Sequence, residues 1–391
     1  MGSPSLDAVL ARVDEIAPVI RDGAAESERL GQLAPSVVEA LHRADLFRIL
    51  LPADMGGGGL TIPESIEVLE RVAALDASTG WTLTILADGP LLTRRLGRDA
   101  FAAITADPTD LVAGSLNPAT VRAERAEGGY VFSGTATYLS GSAHARWLSV
   151  AAVVTEHGRF VVEDGVLQIR AGTFPIERAR CLDTWHVTGM QATSSSHYDF
   201  HDVPVADAWT FDAFAGAGGT DSDDIFLRIP LIAQLGGGLV ANATGAARNA
   251  IDRFAELAAG KVPVGGDPAR LVERANAHRA VGEAEGLFRA AHATLVDGVD
   301  TVWQRGAAGL PFTAVDLAAY RVSMVTATRL AAQAVDLIHD VSGMDAVMTG
   351  SIIERAWRDV HTITQHVLLA PNRYDIAGRV FLGLDPGVPV I

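Results

Sequence analysis

Four long stretches with helical hydrophobic spacing, residues 230–259, 268–303, 313–342 and 350–369, limit this chain more than any other feature. They are Ala-rich and joined by short segments, so consecutive helices must run back beside one another as an antiparallel four-helix bundle. Each has more apolar surface than one bundle interior uses, which favours a homo-oligomer, a dimer or tetramer. An acidic, Gly-rich connector, residues 216–224, leads into them. The uncharged run 229–247 is long enough to span a membrane, but Gly236, Gly237, Gly238, Asn242 and Thr244 make it too polar. It reads as a helix buried in protein.

Helical spacing also governs the first hundred or so residues. Val9, Val13, Ile16, Val19 and Ile20 define one helix, and Leu33, Val37, Val38 and Leu41 a second that starts at Pro35-Ser36. Further helices are predicted over 63–74, 78–87 and 99–106. The four glycines Gly56 to Gly59 lack a surrounding βαβ pattern, so they are not a dinucleotide fingerprint. Near Leu111 the character changes to short β-rich runs, 130–132, 147–154, 159–162 and 197–200, separated by Gly, Asp and Ser turns. The predicted fold is α+β and multidomain: a helical domain over 1–110, a β domain over 111–215 and a helical bundle over 216–391.

With 49% hydrophobic and 20% charged residues, the chain can bury a large core and is not disordered. The net charge of −16 and the lack of any basic run exclude a DNA- or RNA-binding face, which needs a Lys/Arg stripe to neutralise phosphates. Cys181 is the one cysteine, so no internal disulfide or multi-cysteine zinc site can form, in keeping with a reducing cytosol. It is expected to be a small buried hydrophobe. The N-terminal residues lack a basic, then apolar, leader, and Leu6 stands where a myristoylation signal has Ser or Thr. A cytoplasmic protein is expected. Gly-x-Ser-x-Gly, His-Glu-x-x-His and Walker motifs are all missing. His361 and His366 lie five apart, which on one helix separates them by about 140° and prevents them from sharing a metal. No metal site is expected, and either histidine would act alone.

The β region carries more specific segments. Gly128-Gly129-Tyr130 opens a hairpin, and Ala136-Thr137-Tyr138-Leu139-Ser140-Gly141 reads as a strand ending in an exposed hydroxyl. A second segment, residues 182–195, contains Trp185, Gly189, Thr193 and Ser195. In order, together with Pro52 to Leu60 and with Ser342-Gly343 followed by Glu354-Arg355-Ala356-Trp357-Arg358-Asp359, these resemble the acyl-CoA dehydrogenase superfamily over nearly the whole chain. Ser194 stands where that family usually has Gly. The resemblance implies an N-terminal helical domain, a middle β-barrel-like domain and a C-terminal four-helix bundle.

The departures are informative. Where many dehydrogenases of the family carry a Tyr-Glu-Gly whose carboxylate removes a proton, this chain has His366, Val367 and Leu368. The family's Arg-x-x-Phe-Gly, used on flavin pyrophosphate, appears as Lys261-Val262-Pro263-Val264-Gly265. Lysine gives a point charge without a bidentate fork and Val264 removes the aromatic, which implies a flavin held less tightly, or FMN in place of FAD. Ser78-Thr79-Gly80-Trp81, Leu139-Ser140-Gly141, Arg355 through His366, Ala377-Gly378-Arg379 and Leu382 to Pro386 are similar to the two-component flavin-dependent monooxygenases of the superfamily. That branch includes 4-hydroxyphenylacetate hydroxylase oxygenase components and dibenzothiophene monooxygenase.

The resemblance implies an oxygenase component using reduced flavin (FADH2 or FMNH2) and O2 through a C4a-hydroperoxyflavin to hydroxylate a small aromatic or heteroaromatic compound. The flavin would come reduced from a separate NAD(P)H:flavin reductase, since no nicotinamide motif is visible. His366, with a pKa near neutrality, would stabilise the oxygen adduct and accept a proton; His361 competes for the role. Ser140 would hydrogen-bond toward flavin N5. Trp81, Asn117 and Trp185 would line the cavity, Thr193 and Ser195 would bond flavin oxygens, and Lys261 would reach a phosphate. Amine N-oxygenation on an amino sugar, as by nitrososynthases, and FAD-dependent acyl-CoA dehydrogenation are the alternatives. A DNA-binding scaffold is opposed by the charge.

Overall fold

The computed structural model describes residues 4–214, 222–264 and 268–388. Most of the acidic connector and Gly265 lie outside the described residues.

Local chemistry sets the N-terminal helices. α1 (Leu6–Leu30) starts at Ser5, whose hydroxyl accepts from the Ala8 N–H, and stops at left-handed Gly31 with φ 68°. α2 (Pro35–Arg43) has proline in its first turn, where the missing N–H costs nothing. α3 (Ile62–Ala73) opens in a capping box between Thr61 and Glu64, and α4 (Ala77–Ala87) is capped by Asp76. Two shorter helices follow, α5 (Gly89–Thr93) and α6 (Arg98–Thr105). α5 is little more than one turn, too short to show a period.

The strands are β1 (Val112–Ser115), β2 (Val121–Ala126), β3 (Gly129–Ala136), β4 (Trp147–Glu156), β5 (Arg159–Phe160), β6 (Val162–Glu163), β7 (Val166–Leu167), β8 (Ile169–Pro175), β9 (Arg180–Cys181), β10 (Tyr198–Ala206) and β11 (Thr210–Asp212). They pair in the order β11-β8-β4-β2-β3-β10-β9, with β1 and β5 also on β4 and a separate β6–β7 hairpin. β1 and β2 run parallel to β4; the other pairs are antiparallel. Phe132, Phe174 and Phe200 from three strands pack together, with ring centroids 6.3 and 5.1 Å apart, over Gly172, where a Cβ would meet the Phe132 ring at 2.4 Å. Cys181 departs from expectation. It is exposed, because β9 is a two-residue edge strand with both side chains in solvent.

After α7 (Ile225–Arg228) come α8 (Leu231–Gly260), α9 (Ala275–Ala307), α10 (Ala314–Ser342), α11 (Ile352–Ile363) and α12 (Asn372–Phe381). The uncharged run is the buried N-terminal half of α8, as predicted, and no described helix is long and apolar enough to cross a membrane. α9 starts later than residue 268, after a single 3-10 turn at Leu271–Glu273. The fourth bundle helix also differs: it ends at Ile363, and residues 364–370 form a turn. Pro371 explains this, since its ring would clash with the Val367 carbonyl in a continued helix. That carbonyl accepts from Arg373 Nε at 2.6 Å instead. His366 is therefore in the turn, and the helical angle between His361 and His366 does not apply. One continuous apolar core runs through the N-terminal helices, the sheet and the bundle.

Candidate active site

Trp81 is held by close helix crossing. A Cβ at Gly80 would meet Ala73 Cα at 2.7 Å and Asn242 Oδ1 at 2.5 Å, so glycine lets α4 nest between α3 and α8. Asn242 Nδ2 ties the contact by donating to Thr84 Oγ1 at 2.9 Å. Asp76 Oδ2 fixes the start of α4, accepting from the Thr79 N–H and hydroxyl at 2.8 and 2.7 Å. Trp81 is 7% exposed, and its indole N–H donates to Ser140 Oγ at 3.1 Å.

Ser140 is not the exposed hydroxyl expected at a strand end. β3 stops at Ala136, and residues 138–142 turn inward against 193–196 through Leu139 N–H to Ser196 O, Gly141 N–H to Thr193 O and Ser142 Oγ to Ser194 O. Ser140 is 7% exposed, with Ser195 Oγ at 2.6 Å; Ser195 Oγ lies 2.7 Å from Thr193 Oγ1, which donates to the Met190 carbonyl at 2.9 Å. Each hydroxyl has one proton and a carbonyl only accepts, so the sense of the chain is forced. Trp81 donates to Ser140, Ser140 to Ser195, Ser195 to Thr193, and Thr193 to Met190. Ser194 is left-handed at φ 51°, which explains why glycine suits that position.

Met190, itself left-handed at φ 57°, joins this relay to the bundle. Its carbonyl also accepts from Trp185 Nε1 at 2.9 Å, and its N–H donates to Asp359 Oδ1. Gly189 lets the loop touch α11, since a Cβ there would meet the Arg358 carbonyl oxygen at 2.2 Å. Arg358 and Arg355 both pair with Glu28 of α1, locking α11 in place. Burial, and then the charge of Asp76, pushes the Asp359 carboxyl up to about 7. Asp359 belongs to the quoted Arg-Asp motif, but Met190 has no sequence signature, because its backbone does the work.

His366 meets Trp81 edge to face, with ring centroids 5.4 Å apart. Burial, and then the Arg373 charge, pushes it down to about 4, which corrects the expectation of a pKa near neutrality. Its Nδ1 accepts from the Leu368 N–H at 3.3 Å, so the neutral ring carries its proton on Nε2. His361 turns elsewhere: Nε2 lies 2.8 Å from Asp336 Oδ1, and its ring packs on Trp357.

The remaining predicted residues separate into two groups. Trp185, half-buried, meets the ring of Tyr138, a residue 62% exposed. Asn117 is exposed on a turn, donating to Thr137 Oγ1 at 3.1 Å and accepting from the Ala119 N–H, and does not join the cluster. Lys261, at the end of α8, donates to the Ser342 carbonyl at 2.7 Å and pairs with Asp345. The structure brings together Trp81, Ser140, Trp185, Thr193, Ser195 and His366. Neutral hydroxyls, aromatic faces and a neutral imidazole suit a planar heteroaromatic ring such as isoalloxazine. Among the described residues, no group of three His, Cys, Asp or Glu side chains is placed to hold a metal.

Two family models match this chain, the acyl-CoA dehydrogenase N-terminal domain over residues 8–97 and its C-terminal domain over 238–371. With the helix–sheet–helix order described above, they place it plainly: the chain belongs to the acyl-CoA dehydrogenase superfamily. Among curated proteins it is 29% identical to indole-3-acetate monooxygenase of Pseudomonas putida, over 93% of this chain and 92% of that one. It is 27% identical to the FADH2-dependent resorcinol hydroxylase, oxygenase component, of Rhizobium sp., covering 97% and 95%. Of solved structures, the HsaA monooxygenase from M. tuberculosis superposes with a TM-score of 0.88 at 26% identity, covering 99% of this chain and 100% of that one.

Proposed function

We propose that this protein is the oxygenase component of a two-component flavin-dependent monooxygenase that hydroxylates a small aromatic or heteroaromatic compound. The observation that carries the reading is neutral His366 set edge-on to buried Trp81, with Val367, 59% exposed, where dehydrogenases of the family have their base. Whole-length similarity to monooxygenases acting on indole-3-acetate and resorcinol supports it. The flavin, FADH2 or FMNH2, arrives from a separate NAD(P)H:flavin reductase, and the protein works in the cytoplasm as a homo-oligomer.

Reduced flavin, when bound, supplies the reaction with O2. The protein's part is to hold the ring, orient protons and exclude water. Trp81 and Trp185 would wall the ring, and Thr193 and Ser195 stand behind Ser140. Ser140 Oγ, whose proton points to Ser195, has a lone pair free and would accept a hydrogen bond from the ring. His366 offers Nε2–H as a donor to oxygen. A carboxylate there would repel developing negative charge instead. Lys261, held by Asp345, would be recruited to a phosphate by giving up that pair.

The test mixes the protein with chemically reduced FMN or FAD, 18O2 and a panel of indoles and phenols. One 18O atom in the product, with less hydrogen peroxide than flavin oxidised, is the expected result. His366→Ala should lower product at unchanged fold and flavin affinity. Complete conversion of reduced flavin to hydrogen peroxide across the panel, with bound FAD reduced by an acyl-CoA, would overturn the reading.

A further inference from the structure

Asp88 closes α4, and its N–H still donates to the Thr84 carbonyl at 2.9 Å, so helical spacing holds through it. Seven residues after Trp81, it lies on the same face of the helix, about 20° round and about 10 Å further along. Ile85 stands between them on that face. It is the one residue of α4 that is not buried, so this face looks onto open space while the others are packed.

Asp88 serves no neighbour in the chain. It precedes α5, but its side chain caps nothing there, and its carboxyl makes no hydrogen bond or ion pair among the described residues. Although the residue is only 6% exposed, its oxygens keep accessible surface, whereas Thr82 Oγ1 on another face of α4 is sealed. Burial pushes the carboxyl well above its usual range, toward an acid that still has an oxygen to accept with.

α8 supplies the facing wall. A Cβ at Gly80 would meet Asn242 Oδ1 at 2.5 Å, and a Cβ at Gly238 would meet Thr84 Cγ2 at 2.7 Å. The two helices therefore run antiparallel, and one turn further on Asp88 comes level with Gln234 and Leu235. Gln234, 2% exposed, donates Nε2 to the Phe226 and Ile229 carbonyls at 2.6 and 2.7 Å. Those carbonyls fix the orientation of the amide, and Oε1 is left buried with no partner. Leu235, like Ile85, is partly exposed. Two oxygens in want of a hydrogen thus stand at one level, two turns from Trp81. A buried acceptor left unsatisfied is costly, so a ligand that donates here supplies bonding that the folded chain lacks.

We propose that Asp88, with Gln234 beside it, accepts a hydrogen bond from an O–H or N–H on the substrate's ring, so that a phenol or an indole is chosen over an isostere without the donor. The ring then occupies the roughly 10 Å between Asp88 and Trp81, with His366 at its other end. A site built to receive a hydrogen rejects an analogue that brings none, because its acceptor stays bare. This specificity rests on the oxygenase reading above, and the binding measurement does not.

The experiment titrates the purified protein calorimetrically with isosteric pairs, indole against benzofuran and 4-methylphenol against 4-fluorotoluene, both alone and, without oxygen, with reduced FMN present. Wild type should bind at least one donor about tenfold or more tighter than its isostere, about 1.4 kcal/mol. Asp88→Leu should erase that preference with a thermal midpoint no lower than wild type, since it removes an unpaired buried carboxyl. Asp88→Asn, which keeps the shape and a carbonyl oxygen, should lose part of it at an unchanged midpoint, which decides the matter even if the leucine variant fails to fold. If neither donor binds more tightly than its isostere, or if Asp88→Leu leaves the preference intact, the proposal is overturned. Donor preference without any reduced-flavin binding would keep the acceptor site and sink the oxygenase. Reduced flavin and O2 hydroxylating both members of a pair, with no preference between them, would do the reverse.

Discussion

Asp359→Asn tests how the loop carrying the hydroxyl relay is anchored. Asp359 is 2% exposed, accepts from the Met190 N–H, and has its carboxyl raised from 3.8 to about 7. A raised carboxyl pKa means the native state holds a proton that the unfolded chain releases, so stability falls as pH rises from about 4 to 7. The shift of roughly three units corresponds to about 4 kcal/mol, of which about 3 kcal/mol develops between pH 5 and 8. Asparagine keeps an acceptor for Met190 and removes the titration. Guanidinium unfolding at pH 5, 6.5 and 8 should therefore show the variant gaining on wild type by about 3 kcal/mol across the range. Asp359→Ala should lie about 1–3 kcal/mol below Asp359→Asn at every pH, because the Met190 N–H is left buried without a partner. Parallel pH profiles for wild type and Asp359→Asn would refute the assignment of a buried, proton-holding anchor.

Ser195→Ala cuts the relay in the middle and frees the Ser140 proton; it should cost about 1–2 kcal/mol and raise hydrogen peroxide released per reduced flavin several-fold, with Ser140→Ala more severe. Equal coupling in both variants and wild type would remove the relay from function. Gly189→Ala forces a Cβ against backbone atoms of Arg358 and should destabilise by more than about 3 kcal/mol, read as a drop in thermal midpoint; an unchanged midpoint would contradict the packing. Arg373→Met should raise the His366 pKa from about 4, followed by histidine NMR, and so reduce the stability that His366 removes as pH falls below 6.5; no movement would deny the contact. Cys181 should react at once with a thiol reagent in the folded protein, and protection until unfolding would contradict its exposure.

The long helices were legible because α8, α9 and α10 run for about thirty residues each, enough for periodicity to dominate local exceptions. The end of α11 was not. Leu369 continues the apolar pattern and is buried, but from a turn, and the stop signal was Pro371 further on. The order of motifs located Trp81, Ser140, Trp185, Thr193, Ser195 and His366 together. It also selected Asn117 and Lys261, whose polar groups are held by local partners that no motif reveals. Hydrogen-bond direction and the role of the Met190 backbone depend on distances, not residue types. The pKa of His366 depends on Arg373, seven positions on, past a helix break that periodicity conceals. Asp88 drew no notice in the sequence because an aspartate before Gly89-Pro90 looks like a turn residue until its surroundings are known.

If the proposed flavin sits against Ser140, the fixed sense of the chain from Trp81 to Met190 would make the site a discriminator of oxidation state. An indole can only give a hydrogen and a carbonyl can only receive one, so the string of hydroxyls cannot reverse. Ser140 thus meets its ligand as a receiver. A ring nitrogen bearing hydrogen, as N5 does after two-electron reduction, matches it, whereas the bare nitrogen of the oxidised ring offers lone pair to lone pair. Bound there as proposed, the oxidised ring would be held less well than the reduced one by the same three hydroxyls, which would favour its release without any moving part.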